Sequence, residues 1–199
     1  MFFSFLDKAR ELKRLKRTGW ILKGVASPES VADHSFMLAV MSYFYAKKLH
    51  LDADKCVKMA LMHDLGEAFS GDIPDRAHDS ERTMPREEKR KREAEGMRKT
   101  LALLPATEAK EMRGLWEEFV ARKTKEAQLV KDLDKLEMCM QALEYAGKDK
   151  NKKKFAEFFE DGEQNITTPE IRAAFSKVRD DFKHISEKTG MLFNRMLPK

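Results

Sequence analysis

ESVADHSFMLAVMSYFYAKKL, residues 29–49, reads as one helix. Val31, His34, Leu38, Met41 and Tyr45 recur every three or four positions, which lines them along one face. One member of that stripe is out of character. His34 stands among apolar neighbours, where an unpaired polar group costs about 1–3 kcal/mol, so its imidazole needs a partner.

The same periodicity continues in both directions. Towards the N-terminus, Phe2, Phe5, Leu6, Leu12 and Leu15 mark an amphipathic segment over residues 2–16. Gly19, Gly24 and Pro28 punctuate a loop between them. Towards the C-terminus, Asp52 can cap a third helix whose Cys56, Met59, Ala60 and His63 run on to Glu67, before a loop at Gly71 and Pro74. Charged helices are predicted over 85–104, opened by Pro85, and over 107–122. Thr124 can cap a long helix to Gly147, and Lys148 to Lys154 form a basic turn. Thr167 and Glu170 can make a capping box for a last helix reaching about residue 188.

Composition agrees with this pattern. Leu (19), Ala (20) and Met (12) dominate, while Val (7) and Ile (5) are scarce, so helix formers far outnumber strand formers. Nine glycines and six prolines are too few for the turns of a sandwich or barrel. At 199 residues, without an internal repeat or low-complexity linker, the chain is expected to be all-α: one compact bundle of about seven or eight helices, a single domain over residues 1–199. No apolar stretch approaches the roughly 20 residues needed to cross a bilayer. Asp7, Lys8 and Arg10 break the apolar start too early for a signal peptide or anchor. Two cysteines, Cys56 and Cys139, cannot make a disulfide scaffold, so a reducing, cytoplasmic setting is expected.

A few residues carry chemistry. His63 and Asp64 are adjacent, Glu67 lies one turn further on, and Asp72 and Asp75 occupy the loop beyond. Neutral imidazole together with carboxylates suits a first-row divalent ion. On the long helix, Asp132 and Asp134 both have apolar neighbours one turn away, and spacing alone barely separates them. His50, His78 and His184 lie among polar residues and read as surface.

The ordered set of His34, His63-Asp64 and a later helical Asp resembles the HD-domain metal-dependent phosphohydrolases. The chain is most similar to the HD-domain 5'-deoxynucleotidase family, on RTGW at 17–20, PESVADH at 28–34, HDLGEAFSGDIP at 63–74, LWEEF at 115–119 and VKDLDKLEM at 130–138. These motifs span a core of about residues 10–145, and the helices over 150–199 add little. The resemblance implies that His34, His63, Asp64 and Asp134 bind the metal, preferring Asp134 over Asp132. It implies catalytic duty for Glu67 and Asp72, which in some relatives hold a second cation. Arg17 and Trp20 match positions that hold the substrate phosphate, although Thr18 and Gly19 separate them here and some bacterial relatives have the pair adjacent. The loop from Asp72 to Asp75 matches the nucleoside contact.

The activity implied is hydrolysis of 2'-deoxyribonucleoside 5'-monophosphates to deoxynucleoside and phosphate. The divalent cofactor could be cobalt, manganese, zinc, iron, nickel or magnesium. Homodimers are common in the family, and exposed Phe or Met near helical termini are candidates for an interface. An HD phosphodiesterase acting on another nucleotide is the alternative, with a non-catalytic regulatory or RNA-binding protein behind it. The charge runs do not favour that last reading. Glu87/Lys91, Glu88/Arg92 and Glu95/Lys99 are i, i+4 pairs of a solvated helix face, so neither nucleic acid nor membrane is an expected partner. A net charge of +5 would still attract anionic substrates.

Overall fold

Ser30 starts the helix that carries His34. Its hydroxyl accepts from the Asp33 N–H at 3.1 Å, and Asp33 in turn accepts from the Ser30 N–H at 2.8 Å, a reciprocal cap that satisfies two otherwise orphaned donors. In the computed structural model, which describes residues 2–74 and 84–187, this helix runs Val31–Lys48. It ends at Leu49, followed by His50 in the left-handed region with φ 55°. Val31, His34, Leu38 and Met41 face inward as the periodicity requires.

The described residues are helical, in chain order α1 (Phe2–Ala9), α2 (Thr18–Leu22), α3 (Val31–Lys48), α4 (Ala53–Met62), α5 (Glu67–Ser70), α6 (Arg86–Leu101), α7 (Ala106–Ala121), α8 (Lys125–Lys148), α9 (Ala156–Asn165) and α10 (Pro169–Glu187). Short 3-10 turns occupy Arg10–Lys13 and Lys152–Phe155. Among these residues the only strand-like pairing is one antiparallel bridge between Lys16 and Ser30. The protein is all-α.

The ten helices exceed the predicted seven or eight because three are short or weakly patterned. The stretch holding α2 carries Gly19 and Gly24 and reads as loop. α9 has Gly162 in its interior and mostly acidic residues around it, which hides its apolar face. The third divergence bears on function. The helix predicted to run to Glu67 instead stops at Met62, and His63 to Gly66 form a turn before α5. Gly66 sits against α6 so closely that a Cβ there would lie 2.7 Å from the Met97 N atom, and a Cβ on Gly96 would lie 2.5 Å from the Gly66 carbonyl oxygen. Two glycines therefore let the turn pack backbone to backbone on α6.

The chain divides into two compact units, Met1–Lys131 and Asp132–Lys199, and α8 passes from the first into the second. In the first unit, α3 packs along α4, and a core of Phe5, Leu12, Val31, Leu65, Met97, Leu101 and Leu104 holds the N-terminal helices against α5 and α6. In the second, Phe159 and Phe182 stack with centroids 4.0 Å apart, and Phe175 is fully buried against Gly162. The expected caps are present: Asp52 accepts from the Lys55 N–H at 3.0 Å and Thr124 from the Ala127 N–H at 3.2 Å. The Thr167 hydroxyl donates to Asp132 at 3.1 Å, and α10 starts at Pro169.

Candidate active site

Helix termination places the central residues. His63 caps the C-terminal end of α4, where the turn bends the chain and turns Asp64 and Glu67 to one side of α6. His63 Nδ1 lies 2.7 Å from the Ala60 carbonyl oxygen, an acceptor, so Nδ1 carries the proton. His63 Nε2 is buried and has no hydrogen-bond partner among the described residues, yet it sits 3.0 Å from Asp64 Oδ2. His34, fully buried on α3, brings its Nε2 to 4.0 Å from the same oxygen, and the two imidazole rings meet edge to face at 5.3 Å. With Nδ1 protonated, Nε2 of His63 presents a lone pair to a carboxylate oxygen. Either a proton on Nε2 or a cation bound by both atoms makes that approach favourable. This donor set, two imidazole nitrogens around one carboxylate oxygen, fits a divalent first-row ion.

The carboxylates differ in charge state. Burial opposes ionisation of Asp64, but His63, Arg17 and His34 outweigh it and hold the carboxyl well below the usual range. Glu67 is pushed the other way. Burial, reinforced by Asp64 and Asp72, holds its carboxyl well above the usual range, and its Oε2 has no hydrogen-bond partner among the described residues. One acid is kept ionised and its neighbour is poised to hold a proton, a pairing common at catalytic sites.

Arg17 ties the site together. Its Nη1 donates to Asp64 Oδ2 at 3.0 Å and to Asp72 Oδ1 at 3.5 Å. The backbone is pinned as well: the Arg17 N–H donates to the Glu29 carbonyl at 3.1 Å, and the Val31 N–H to the Leu15 carbonyl at 2.9 Å, fastening this stretch to the start of α3. Asp72 accepts from the Thr18 N–H, while the Thr18 hydroxyl donates to the Asp72 carbonyl at 2.9 Å. The loop after α5 is thereby locked to the RTGW stretch. Trp20 is 1% exposed, with its indole N–H donating to Glu29 at 2.8 Å. It is a core residue whose ring supports the loop carrying Arg17.

A pocket opens beside these groups, lined by His63, Asp64, Glu67, Glu93, Phe119 and Lys131 among others. Glu93, Phe119 and Lys131 are not predicted as site residues. Phe119 packs edge to face on His63 with centroids 5.3 Å apart, and Lys131 Nζ lies 3.8 Å over its ring. Glu93 sits in a run that reads as solvated face, and burial raises its carboxyl despite Lys89 at 3.5 Å. The rest of that face is as expected, with Glu87–Lys91 at 2.7 Å and Glu88–Arg92 at 2.6 Å, both exposed.

In the second unit, Asp132 has a structural duty. Its Oδ2 accepts from the Thr167 N–H at 2.9 Å and the Thr168 N–H at 2.6 Å, anchoring the start of α10. Asp134 lies two residues further along α8. Asp75 and His78 fall outside the described residues.

The chain is matched over residues 9–176 by the family model described as HD domain. It is 40% identical to the 5'-deoxynucleotidase HDDC2 of Bos taurus, covering 84% of this chain and 78% of the relative. The Homo sapiens 5'-deoxynucleotidase HDDC2 is 39% identical, with 84% of this chain and 79% of the relative covered. Among solved structures, a protein from Pyrococcus horikoshii OT3 superposes with a TM-score of 0.74 at 33% identity, covering 90% of this chain and 99% of that one.

Proposed function

This chain belongs to the HD domain family, and from that premise we propose that it is a metal-dependent 5'-deoxynucleotidase, hydrolysing 2'-deoxyribonucleoside 5'-monophosphates to deoxynucleoside and phosphate. The observation that carries the site assignment is the approach of His63 Nε2 to Asp64 Oδ2 at 3.0 Å without a hydrogen bond, beside the unpartnered carboxylate oxygen of Glu67.

His34, His63 and Asp64 would hold the ion, with Asp134 as a fourth ligand; the anchoring duty of Asp132 at α10 supports that choice between the two acids. When bound, a divalent ion there supplies Lewis acidity towards a phosphoryl oxygen and lowers the pKa of water. Glu67, whose Oε2 has no hydrogen-bond partner among the described residues, orients the attacking water and in its ionised form takes its proton. Arg17, a permanent cation held by Asp64 and Asp72, offers guanidinium N–H groups to the phosphate, and Lys131 adds a second positive charge at the pocket. The water oxygen bonds to phosphorus, the bond from phosphorus to the 5'-oxygen breaks, and the 5'-oxygen leaves with a proton. Asp72, fixed by Thr18, and Asp75 after it serve the nucleoside end. Glu67 and Asp72 are also the acids that would hold a second cation. Trp20 acts by supporting the Arg17 loop.

The family match from 9 to 176 runs through both units, which supports one HD domain as the working body. A homodimer and a cytoplasmic setting complete the reading. No described helix is long and apolar enough to cross a membrane. Burial pushes the Cys56 thiol up to about 12, so it stays a thiol at neutral pH.

The reading is tested by identifying the products, free phosphate or a nucleoside monophosphate, formed from a panel of 5'-deoxynucleotides, 5'-ribonucleotides and cyclic nucleotides with one divalent ion present at a time. Phosphate from the deoxynucleotides, well above the ribonucleotides, is the expected result. Cleavage of the cyclic nucleotides alone would replace it with a phosphodiesterase.

A further inference from the structure

α3 is apolar on two opposite sides. Its inner face buries Val31, His34, Leu38, Ala39, Met41, Ser42 and Ala46. Its outer face carries Phe36 at 68% exposure, Met37 at 38%, Tyr43 at 46% and Phe44 at 65%, with half-buried Val40 in their midst. At 3.6 residues per turn, these five together with exposed Asp33 and Lys47 fall within about 60° of Val40. Scattered apolar residues are ordinary on a protein surface, but a continuous stripe on a helix already buried along its other side marks a contact surface.

The order of residues along the stripe identifies what it contacts. Phe36 and Phe44 lie four positions either side of Val40, Met37 and Tyr43 three, and Asp33 and Lys47 seven. Apolar residues balance about the centre, and the ends carry opposite charge. Such a stripe is complementary to itself when reversed, which is the requirement of a two-fold contact between identical chains. With two α3 helices antiparallel, Val40 meets Val40. Phe36 and Met37 of one copy meet Tyr43 and Phe44 of the other, and Asp33 stands against Lys47 at both ends. An unrelated partner would need no such symmetry.

We propose that the outer face of α3 is a two-fold interface taking a second copy of this chain, centred on Val40. This rests on the homodimer reading above and specifies its surface. It also links assembly to chemistry, because His34 projects from the reverse side of the same helix. Pairing the outer faces fixes the helix that supplies a metal ligand.

Sedimentation of the full chain, combined with oxidative cross-linking of Val40→Cys, tests the proposal. Cys56 and Cys139 are both buried and leave the engineered thiol as the reporter. The expected result is a dimer in which Val40→Cys forms an intermolecular disulfide at least about tenfold faster than the exposed control Arg92→Cys. Val40→Glu, which sets two like charges together at the centre, raises the dimer dissociation constant about 100-fold or more. Circular dichroism and melting of Val40→Glu establish that it is folded; Lys47→Glu, which sets an acid against Asp33, weakens the dimer in the same direction should Val40→Glu fail to fold. A dimer that neither cross-links through Val40→Cys nor responds to these charges overturns the α3 interface and leaves the homodimer reading standing. A monomeric wild type overturns both.

Discussion

A single hydrogen bond decides what His63 can do. Donation from Nδ1 to the Ala60 carbonyl fixes both tautomer and ring orientation, leaving Nε2 for Asp64 and for whatever cation the pair holds. Glu67 is the complementary case, a carboxylate whose environment disfavours its charge. Glu67→Gln is expected to lower kcat about 100- to 10,000-fold while the ion assigned to His34, His63 and Asp64 is retained, measured by steady-state rates and metal analysis of the same sample. An unaltered kcat would remove Glu67 from the chemistry. The two acids of α8 provide a second contrast. Asp132→Asn should cost about 1–3 kcal/mol of stability in urea, because it weakens a buried anchor for two backbone N–H groups, while leaving metal content intact. Asp134→Asn should do the reverse, and equal effects on metal would contradict the assignment. His34, His63, Asp64 and Glu67 were legible in the sequence because a histidine on an apolar stripe and a His-Asp pair one turn before an acid are visible as patterns. Lys131 and Phe119 were not, since a lysine over an aromatic ring depends on two helices meeting, which no local spacing encodes.

At the scale of elements, the break between α4 and α5 does most to build the site. Its cause is the close approach of Gly66 to Gly96, and a side chain at either position meets backbone rather than a movable group. Gly96→Ala is therefore expected to destabilise the protein by about 1–3 kcal/mol and to lower turnover as well, since the turn carrying Asp64 and Glu67 must shift. Urea denaturation alongside kcat checks both; loss of stability with full activity would show that the turn does not position the carboxylates. The helices themselves followed the apolar periodicity, and those that escaped it did so for stated reasons. Gly96 sits in a run of charges whose i, i+4 pairs are real, so its packing face is invisible among them. α9 needs Gly162 against Phe175, a contact made only once the chain has folded.

For the whole molecule, the net charge of +5, Lys131 at the pocket and Arg17 on Asp64 suit a dianionic phosphate monoester, and such attraction weakens with salt. The family match runs through both units, and the outer face of α3 is the surface proposed to pair two copies. Phosphatase activity is proposed to depend on an ion at the imidazole–carboxylate centre. The most direct measurement is phosphate release from a 5'-deoxynucleotide by metal-stripped protein as a divalent ion is titrated back, run in parallel on wild type and His63→Ala. Stripped wild type is expected to be inactive and to recover with the ion, while His63→Ala stays at least about 100-fold slower and binds less metal. Full activity in stripped wild type, or in His63→Ala, would contradict that dependence.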